Sequence, residues 1–293
     1  MSKYFEFNLD KTNDISYDTN IISHKESKMT TQFLQTGAGS LAFEESGSGP
    51  LVICVPSMGD LRQEYRFLVP SLVAANYRAV SLDVRGHGQS GTTWSDYSVA
   101  GIGRDILDLI KHLGADPAVV IGTSMAAGAA IWAAVEEPAA LRGMVMIGPI
   151  VRGDPGFFLD LLVSVMFARP WGPAAWQRYY TGLYPSRKPD DFSAYASGLR
   201  ANLSEPGRQE ALLAMLHASK QASEARLLDV KTPALVLMGG KDPDFKDPAG
   251  EAAWLAQTVH AECHVIEGIG HYPHAECPAE TAALILPFLK SLG

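Results

Sequence analysis

The sequence predicts an α/β protein whose mostly parallel, doubly wound sheet carries an inserted run of helices. From residue 37 to residue 149, short apolar runs alternate with segments whose apolar residues recur at helical spacing. Between Pro149 and Thr232 only helix-like segments are found, and the alternation resumes at Ala234. Strands that alternate with helices along a chain pair in parallel and are covered by helices on both faces. We therefore expect one sheet with a helical lid over one edge.

The elements that precede the insertion are predicted from continuous apolar runs and from apolar faces. Leu51–Val55 is apolar throughout, as expected of a strand that is covered on both faces. Tyr97–Leu113 places its Ile and Leu residues on one face, as an amphipathic helix does. In chain order we predict strands at Leu41–Glu45 and Leu51–Val55, a helix at Gln63–Ala75, a strand at Ala79–Leu82, a helix at Tyr97–Leu113, a strand at Ala118–Ile121, a helix at Ser124–Val135 and a strand at Leu141–Ile147.

The insertion and the last elements complete the organisation. Residues 150–228, rich in aromatic side chains, are predicted to form a helical cap, and residues 29–149 and 229–293 the core. Residues 1–28 contain no Ala, Gly or Pro, so we expect a flexible or non-native N-terminal extension there. After the cap we predict strands at Ala234–Met238 and Cys263–Ile266 and helices at Ala249–Val259 and Ala279–Leu292.

Composition narrows the class of function. The chain has 293 residues, a formal net charge of −8, 47% hydrophobic residues and 19% charged residues, the balance of a folded globular protein. An acidic chain without a long basic run argues against nucleic acid and anionic membrane surfaces as partners. Residues 117–135 are uncharged but rich in Ala, Gly, Ser and Thr, which argues against a membrane span. The three cysteines, Cys54, Cys263 and Cys277, are too scattered for a disulfide framework or a zinc site. We therefore expect a reducing, cytoplasmic location and no metal. No cofactor is expected either.

A serine lies where a strand is predicted to be followed by a helix. Residues 121–126 read IGTSMA, with Ser124 at the turn. Such a turn is the structural setting of a nucleophile elbow, in which small neighbours let the strand and helix backbones approach closely. Gly122 meets that need, whereas the second small position holds Ala126 rather than Gly. Ser124 is thus a candidate nucleophile, with the alternative that it only caps the helix.

A serine nucleophile needs a base, and His271 is the preferred candidate. It follows the last predicted strand, at the sheet edge where strand-end loops line a crevice. Gly270 before it gives the loop the freedom to turn the imidazole inward. His274, three residues later, is the alternative base.

A carboxylate must orient the imidazole of the base and stabilise its cation. The loop after the next-to-last predicted strand contains Asp242 as the first candidate, Asp244 as the second and Asp247 as the third. Asp242 precedes a proline, which restricts it to the extended backbone that suits a strand end.

The negative oxygen that develops during acyl transfer needs preorganised hydrogen-bond donors. The residue after the serine, Met125, can offer its backbone N–H group. The second donor is expected from the loop after Leu51–Val55, and we predict the backbone N–H of Met58. Ordinary loop packing is the alternative role of Met58.

Over residues 39–292 the chain resembles the α/β-hydrolase superfamily, of the kind with a helical cap after the sixth core strand. The resemblance is carried by the chain order Ser, Asp, His and by residues 83–90 (DVRGHGQS), 122–126 (GTSMA), 239–243 (GGKDP) and 270–271 (GH) with Glu276 and Pro278. The chain departs from the family at Ala126 and at residues 56–57, where Pro-Ser replaces the common His-Gly. The resemblance implies the fold and a catalytic triad, but it implies no particular substrate.

The leading function is a serine hydrolase that cleaves a carboxylic ester or a related acyl bond through an acyl-enzyme on Ser124. Carbon–carbon bond hydrolase, lactonase, perhydrolase and acyltransferase activities of the same triad stay open as alternatives, as does a non-catalytic ligand sensor. Dehalogenases and epoxide hydrolases of this superfamily use an aspartate nucleophile, so Ser124 argues against both. The aromatic cap favours an apolar, medium-sized acyl substrate, so we expect a small molecule as the partner, and homo-oligomer formation is left open. Asp83, Arg85 and His87 are interpreted as a turn whose charged groups fix a loop.

Overall fold

The structure is a computed structural model, and it describes residues 30–114, 117–153 and 156–293. The extension expected at residues 1–28 lies outside the described residues. Within them, eight strands form one sheet, namely β1 (Gln32–Gln35), β2 (Ser40–Ser46), β3 (Leu51–Val55), β4 (Arg78–Leu82), β5 (Ala118–Thr123), β6 (Leu141–Ile147), β7 (Ala234–Gly239) and β8 (Glu262–Ile266). Their order is β1-β2-β4-β3-β5-β6-β7-β8. The β1–β2 and β2–β4 pairs are antiparallel and every other pair is parallel, which confirms the predicted fold class.

The helices lie in the connections between strands. They are α1 (Val69–Ala74), α2 (Val99–His112), α3 (Met125–Glu136), α4 (Phe157–Met166), α5 (Gly172–Gly182), α6 (Phe192–Leu203), α7 (Arg208–His217), α8 (Gln221–Glu224), α9 (Pro248–Val259), α10 (Pro273–Glu276) and α11 (Pro278–Ser291). Short 3-10 turns are found at Arg62–Tyr65, Pro138–Ala140 and Leu227–Asp229.

Helices cover both faces of the sheet, and successive strand residues point to opposite faces. On β3, Val52 and Cys54 pack on the face that α1 and α11 cover, whereas Ile53 and Val55 pack on the face that α2, α3 and α9 cover. All five residues of β3 are buried, as its continuous apolar run predicts. The prediction of a doubly wound sheet is therefore confirmed.

Two elements differ from the sequence prediction. The helix predicted over Gln63–Ala75 is wrong, because a 3-10 turn at Arg62–Tyr65 precedes the shorter α1. The side chains of Glu64 and Tyr65 in that turn bond backbone groups of the β3 loop and of β3, at Ser57 N and Val55 O, which separates the turn from the helix. Strand β1 was not predicted, since only one of its four residues is buried and its apolar signal is correspondingly weak.

Helices α4–α8 all lie between β6 and β7, after the sixth strand, where the sequence predicts a cap. We call residues 156–229 the helical insertion. Its aromatic residues form one cluster with Tyr272, which follows β8, and a second cluster beside Met58, which follows β3. The helical insertion is thus packed against two of the strand-end loops in which the sequence places candidate site residues. That it forms a separate cap domain with the predicted bounds stays a prediction.

A membrane-spanning helix would have to be longer and more apolar than any helix found in the described ranges.

Candidate active site

Ser124 stands at the turn between β5 and α3 in a conformation that non-glycine residues rarely adopt. Its φ is 58° and its ψ is −121°, and its side chain does not cap α3. A Cβ atom on Gly122 would lie 2.6 Å from the carbonyl oxygen of Ala126, so the strand and helix backbones do approach closely here. Ser124 N donates to Ile147 O (2.8 Å), which ties the turn to the end of β6. This geometry fits a nucleophile elbow and gives no support to the capping alternative.

His271 and Asp242 form a buried imidazole–carboxylate pair. Their Nδ1 and Oδ2 atoms are 2.6 Å apart, and both side chains are almost wholly excluded from solvent. The loops that carry them touch, since Lys241 N donates to Ile269 O at 2.8 Å and a Cβ atom on Gly239 would collide with the backbone of Gly270. A carboxylate at Nδ1 fixes a proton on that nitrogen and leaves Nε2 able to accept one.

The carboxylates around His271 outweigh the cost of its burial. Burial lowers the pKa of the imidazole, but the charge and hydrogen bond of Asp242, followed by the charges of Asp244 and Glu64, raise it to about 9. The imidazolium form is therefore stabilised in this site. Proton transfer to His271 is correspondingly favoured over transfer to an ordinary histidine.

The other candidates for acid and base lie elsewhere or play other parts. Asp244 Oδ2 is 3.8 Å from His271 Nδ1, too far for a hydrogen bond, and Asp247 caps α9 by accepting from Gly250 N. His274 is fully buried with its Nε2 3.1 Å from Glu64 Oε1, and it does not line the cavity that His271 lines. The preference for Asp242 and His271 thus agrees with the positions of these side chains.

A cavity of about 550 Å³ joins the site to the helical insertion. Ser124, His271 and Met58 line it from the sheet side, and the helical insertion contributes apolar walls from Val163, Trp176, Leu183 and Leu216. This volume is in the range of pockets for small organic ligands. The serine and the imidazole therefore face one space that is large enough for a substrate.

The loop after β3 has one backbone donor left for that space. Ser57 N donates to Glu64 Oε2 (2.8 Å), Gly59 N to His87 Nε2 (3.1 Å) and Asp60 N to Ser57 O (3.3 Å). Among residues 57–60, all within the described part of the chain, only the Met58 amide has no acceptor in the protein. Met58 is also the residue of this loop that the sequence predicts as an oxyanion donor.

A family model described as "Alpha/beta hydrolase family" matches residues 52–284 of the chain. The chain belongs to the α/β-hydrolase family.

Relatives in this family differ in length and in name. An uncharacterized protein of Mycobacterium tuberculosis is 28% identical over 118 residues, which are 40% of this chain, and the match spans only 34% of that protein. The 2-(acetamidomethylene)succinate hydrolase of Mesorhizobium japonicum is 25% identical over 270 residues, covering 87% of this chain and 93% of that enzyme. The solved structure of a thermophilic esterase from Thermogutta terrifontis has a TM-score of 0.76 and 24% identity, covering 90% of this chain and 99% of the esterase. Family membership supports a hydrolase, whereas the structural likeness concerns the fold.

In this α/β-hydrolase, the loop after β3 is held by residues that the sequence analysis did not connect with it. Besides the bonds from Glu64 and His87, Trp176 Nε1 donates to Gly59 O (3.1 Å), and Ser57 Oγ and Tyr272 OH are 2.7 Å apart. His87, Trp176 and Tyr272 come from three distant parts of the chain, so no local pattern could have revealed their contacts, whereas Glu64 follows Ser57 by seven residues. Only Tyr272, next to His271, carried a positional signal.

The turn after β4 has the role that the sequence analysis assigned to it. Asp83 pairs with Arg62 and accepts from Arg62 N (2.8 Å), while Arg85 makes two hydrogen bonds to Asp105 (2.7 and 2.8 Å). The loop-fixing interpretation of these charged groups is therefore confirmed. His87 does more than was predicted, since it supports the amide of Gly59 in the loop after β3.

Asp242, Asp244 and His271 also have the residue types of metal ligands, and their ligand atoms lie within 4.8 Å of one another. A cation bound there would have to replace the 2.6 Å hydrogen bond between Asp242 and His271 Nδ1. Histidine with a carboxylate partner at Nδ1 is better suited to proton transfer through Nε2.

Proposed function

We propose that this chain is a serine hydrolase that cleaves a carboxylic ester or a related acyl bond through an acyl-enzyme on Ser124. The observation that carries the proposal is the pairing of His271 with Asp242 at a cavity which the strained Ser124 also lines. A serine, an imidazole and a carboxylate from three separate loops are the parts that activate a serine hydroxyl.

In the proposed reaction, Ser124 Oγ attacks the acyl carbon while His271 Nε2 takes the hydroxyl proton. Asp242 stabilises the imidazolium, and the backbone N–H groups of Met58 and Met125 stabilise the negative oxygen of the tetrahedral intermediate. His271 then gives its proton to the leaving group, and the acyl group stays on Ser124. Water, deprotonated by the same imidazole, hydrolyses that ester and returns the serine.

The helical insertion acts as the cap of this site and favours a small, apolar acyl substrate. The apolar side chains that the helical insertion presents to the cavity support this role, and Trp176 among them is almost wholly buried. Among the polar residues that also line the cavity are the basic side chains of Arg152 and Lys220. An apolar acyl chain is expected to lie against the helical insertion, with its carbonyl carbon at Ser124.

Labelling with a fluorophosphonate probe tests the proposal, because the probe forms a covalent bond only with an activated serine. The wild-type protein should be labelled, and Ser124→Ala should abolish labelling and turnover of short-chain p-nitrophenyl esters. Ser197→Ala is the matched control, since Ser197 is an exposed serine of α6 outside the cavity. Labelling of Ser124→Ala at the wild-type rate would contradict the proposal.

The base is tested in the same assay. His271→Gln should abolish labelling while His274→Gln retains it, because only His271 lines the cavity with Ser124. The opposite result would assign the base to His274.

The panel of substrates separates the remaining alternatives. Lactones, 1,3-diketones and an ester with added alcohol or peroxide as the acceptor should be compared with simple esters. Absence of both labelling and turnover in a folded protein would contradict the proposal of an enzyme and would favour a ligand sensor.

A further inference from the structure

A second carboxylate is held beside the imidazole of His271. Asp244 Oδ2 lies 3.8 Å from His271 Nδ1, the atom that bonds Asp242. Asp244 N donates to Asp242 Oδ1 (3.0 Å), so one short turn carries both carboxylates. The other oxygen of Asp244, Oδ1, accepts a hydrogen bond of 2.6 Å from the hydroxyl group of Tyr179. Asp244 is thus held from two sides, by its own turn and by helix α5.

Helix α5 touches both halves of the candidate site through two residues on one of its faces. Tyr179 bonds Asp244 in the loop after β7, and Trp176, one helical turn earlier, bonds Gly59 O in the loop after β3. The two rings pack together, with centroids 5.1 Å apart. The position of the Tyr179 hydroxyl therefore follows the position of the whole helix.

We infer that Asp244 is a second acidic partner of His271 and that Tyr179 positions it, so that the helical insertion sets part of the charge around the base. The inference rests on the proposed function, because it concerns the base of the proposed triad. Asp244 acts through the imidazole. It stabilises the imidazolium that forms when Ser124 loses its proton, and it also holds more of the resting protein in the protonated form.

The charge around His271 comes from several elements. Those facing it are Asp242 and Asp244 from the loop after β7, Glu64 from the turn after β3 and Tyr272 from its own loop, while Arg152, Tyr179 and Lys220 line the same cavity. Asp244 is distinctive among the carboxylates because its side chain is 16% exposed and is fixed by a residue of the helical insertion. Its contribution is therefore the one that movement of α5 would change.

Titration of His271 by NMR, through its ring Cε1–H signal in the protein without substrate, tests the role of Asp244. The wild-type pKa is expected at about 9. Asp244→Asn should lower it by on the order of one unit, because one negative charge near the imidazole is removed. His271→Gln assigns the signal, and Asp244→Ser replaces the Asn variant if that variant does not fold. An unchanged titration in a folded Asp244 variant would overturn the inference.

Asp247→Asn is the matched control. Asp247 lies in the same loop, but its side chain caps α9 by accepting from Gly250 N (3.0 Å), and Asn keeps that function. The titration of His271 should be unchanged in this variant. An equal shift in both variants would mean that the loop, and not the Asp244 carboxylate, affects His271.

The role of Tyr179 is tested by Tyr179→Phe, alone and combined with Asp244→Asn. The single variant should shift the pKa of His271 in the same direction as Asp244→Asn but by less, because the carboxylate stays and only its anchor is lost. In the Asp244→Asn background, Tyr179→Phe should cause no further shift. A full additional shift would show that Tyr179 acts independently of Asp244.

The titration needs no turnover, so its outcome is separate from that of the proposed function. If the protein hydrolyses esters, Asp244→Asn should also move the pH profile of kcat/KM to lower pH and reduce its alkaline plateau. If Ser124 is not labelled by a fluorophosphonate, the proposed function fails while the titration still decides whether Asp244 is a partner of His271.

Discussion

Two buried imidazoles lie in strand-end loops of the same sheet, and their pKa values are shifted in opposite directions. His271 and His87 are each 1% exposed. Burial lowers the pKa of both, but the carboxylates beside His271 raise its value to about 9, whereas His87 is left at about 4. His87 contacts backbone groups through both nitrogens, with Nε2 accepting from Gly59 N and Nδ1 facing Arg85 O. One imidazole can exchange a proton with a ligand, and the other is held neutral as part of the scaffold.

This difference arises from the groups that each imidazole contacts. Each histidine follows a glycine and is almost wholly buried. Asp242 bonds the imidazole of His271, whereas the nitrogens of His87 contact the backbone groups of Gly59 and Arg85. The buried Asp83, in the same turn as His87, is paired with Arg62. Residue type and burial are therefore alike, and the bonded carboxylate distinguishes His271 from His87.

Replacing each of these two histidines should lower activity by very different amounts. His271→Gln should lower kcat/KM for an ester by roughly 10⁴-fold, because the proposed triad loses its base. His87→Leu should lower it by roughly ten- to a hundredfold, because the Met58 amide moves when Gly59 loses its acceptor. Steady-state kinetics measure both values, with labelling by a fluorophosphonate as a second readout.

His87→Gln is the control for this comparison, since its side-chain oxygen can replace Nε2 as the acceptor and should restore much of the activity. Equal losses in His271→Gln and His87→Leu would contradict the assignment of one base and one scaffold residue.

The two aspartates are expected to separate activity from stability. Asp242→Asn should lower kcat by about 10⁴-fold, because the imidazole loses its orienting carboxylate. Asp83→Asn should instead cost about 3 kcal/mol of unfolding free energy, because the buried Arg62 loses a partner. Urea unfolding and kinetics on both variants measure the separation. A large loss of activity in a folded Asp83→Asn protein would place Asp83 in the reaction.

The pH profile compares the histidines in the unaltered protein. Because the pKa of His271 is raised to about 9 and the proposed base must be neutral to accept a proton, kcat/KM should rise with pH and level off above that value. At pH 7 it should be roughly one-hundredth of the plateau, as follows from the two-unit difference. His87, with its pKa lowered to about 4, should add no step between pH 6 and pH 10. An apparent pKa near the ordinary histidine value would show that the carboxylates only offset the effect of burial on His271 and do not exceed it.

The fold was largely predictable where burial determines which residue types occur at each position. Strands β3 and β6 lie at their predicted bounds. Strand β3 is apolar throughout and β6 is apolar from Met144 to Ile147, as expected of strands that are covered on both faces. Strand β1 escaped prediction because it pairs at the sheet edge with only Leu34 buried. The helix predicted over Gln63–Ala75 failed because the side chains of its first turn bond the neighbouring loop and β3.

The candidate site was predictable where its residues directly follow predicted strands. Ser124, Asp242 and His271 each follow a predicted strand, so the shared edge of the sheet brings them near one another. The buried contact of His274 with Glu64 and the hydrogen bond of Tyr179 to Asp244 were not predictable, because they join elements that only tertiary packing brings together.

The smallest expected effect concerns the cause of the low pKa of His87. Burial is the main cause, and the charge of Arg208 lowers the value further. Arg208→Met should therefore raise the pKa of His87 from about 4 by less than about one unit, and leave it neutral at pH 7. An NMR titration from pH 3 to pH 8 measures this shift, and Arg200→Met, which removes a charge at an exposed position of α6, is the control. A rise to the ordinary histidine value would mean that the cation, and not burial, separates His87 from His271, and the two imidazoles would then differ only in the sign of the charge beside them.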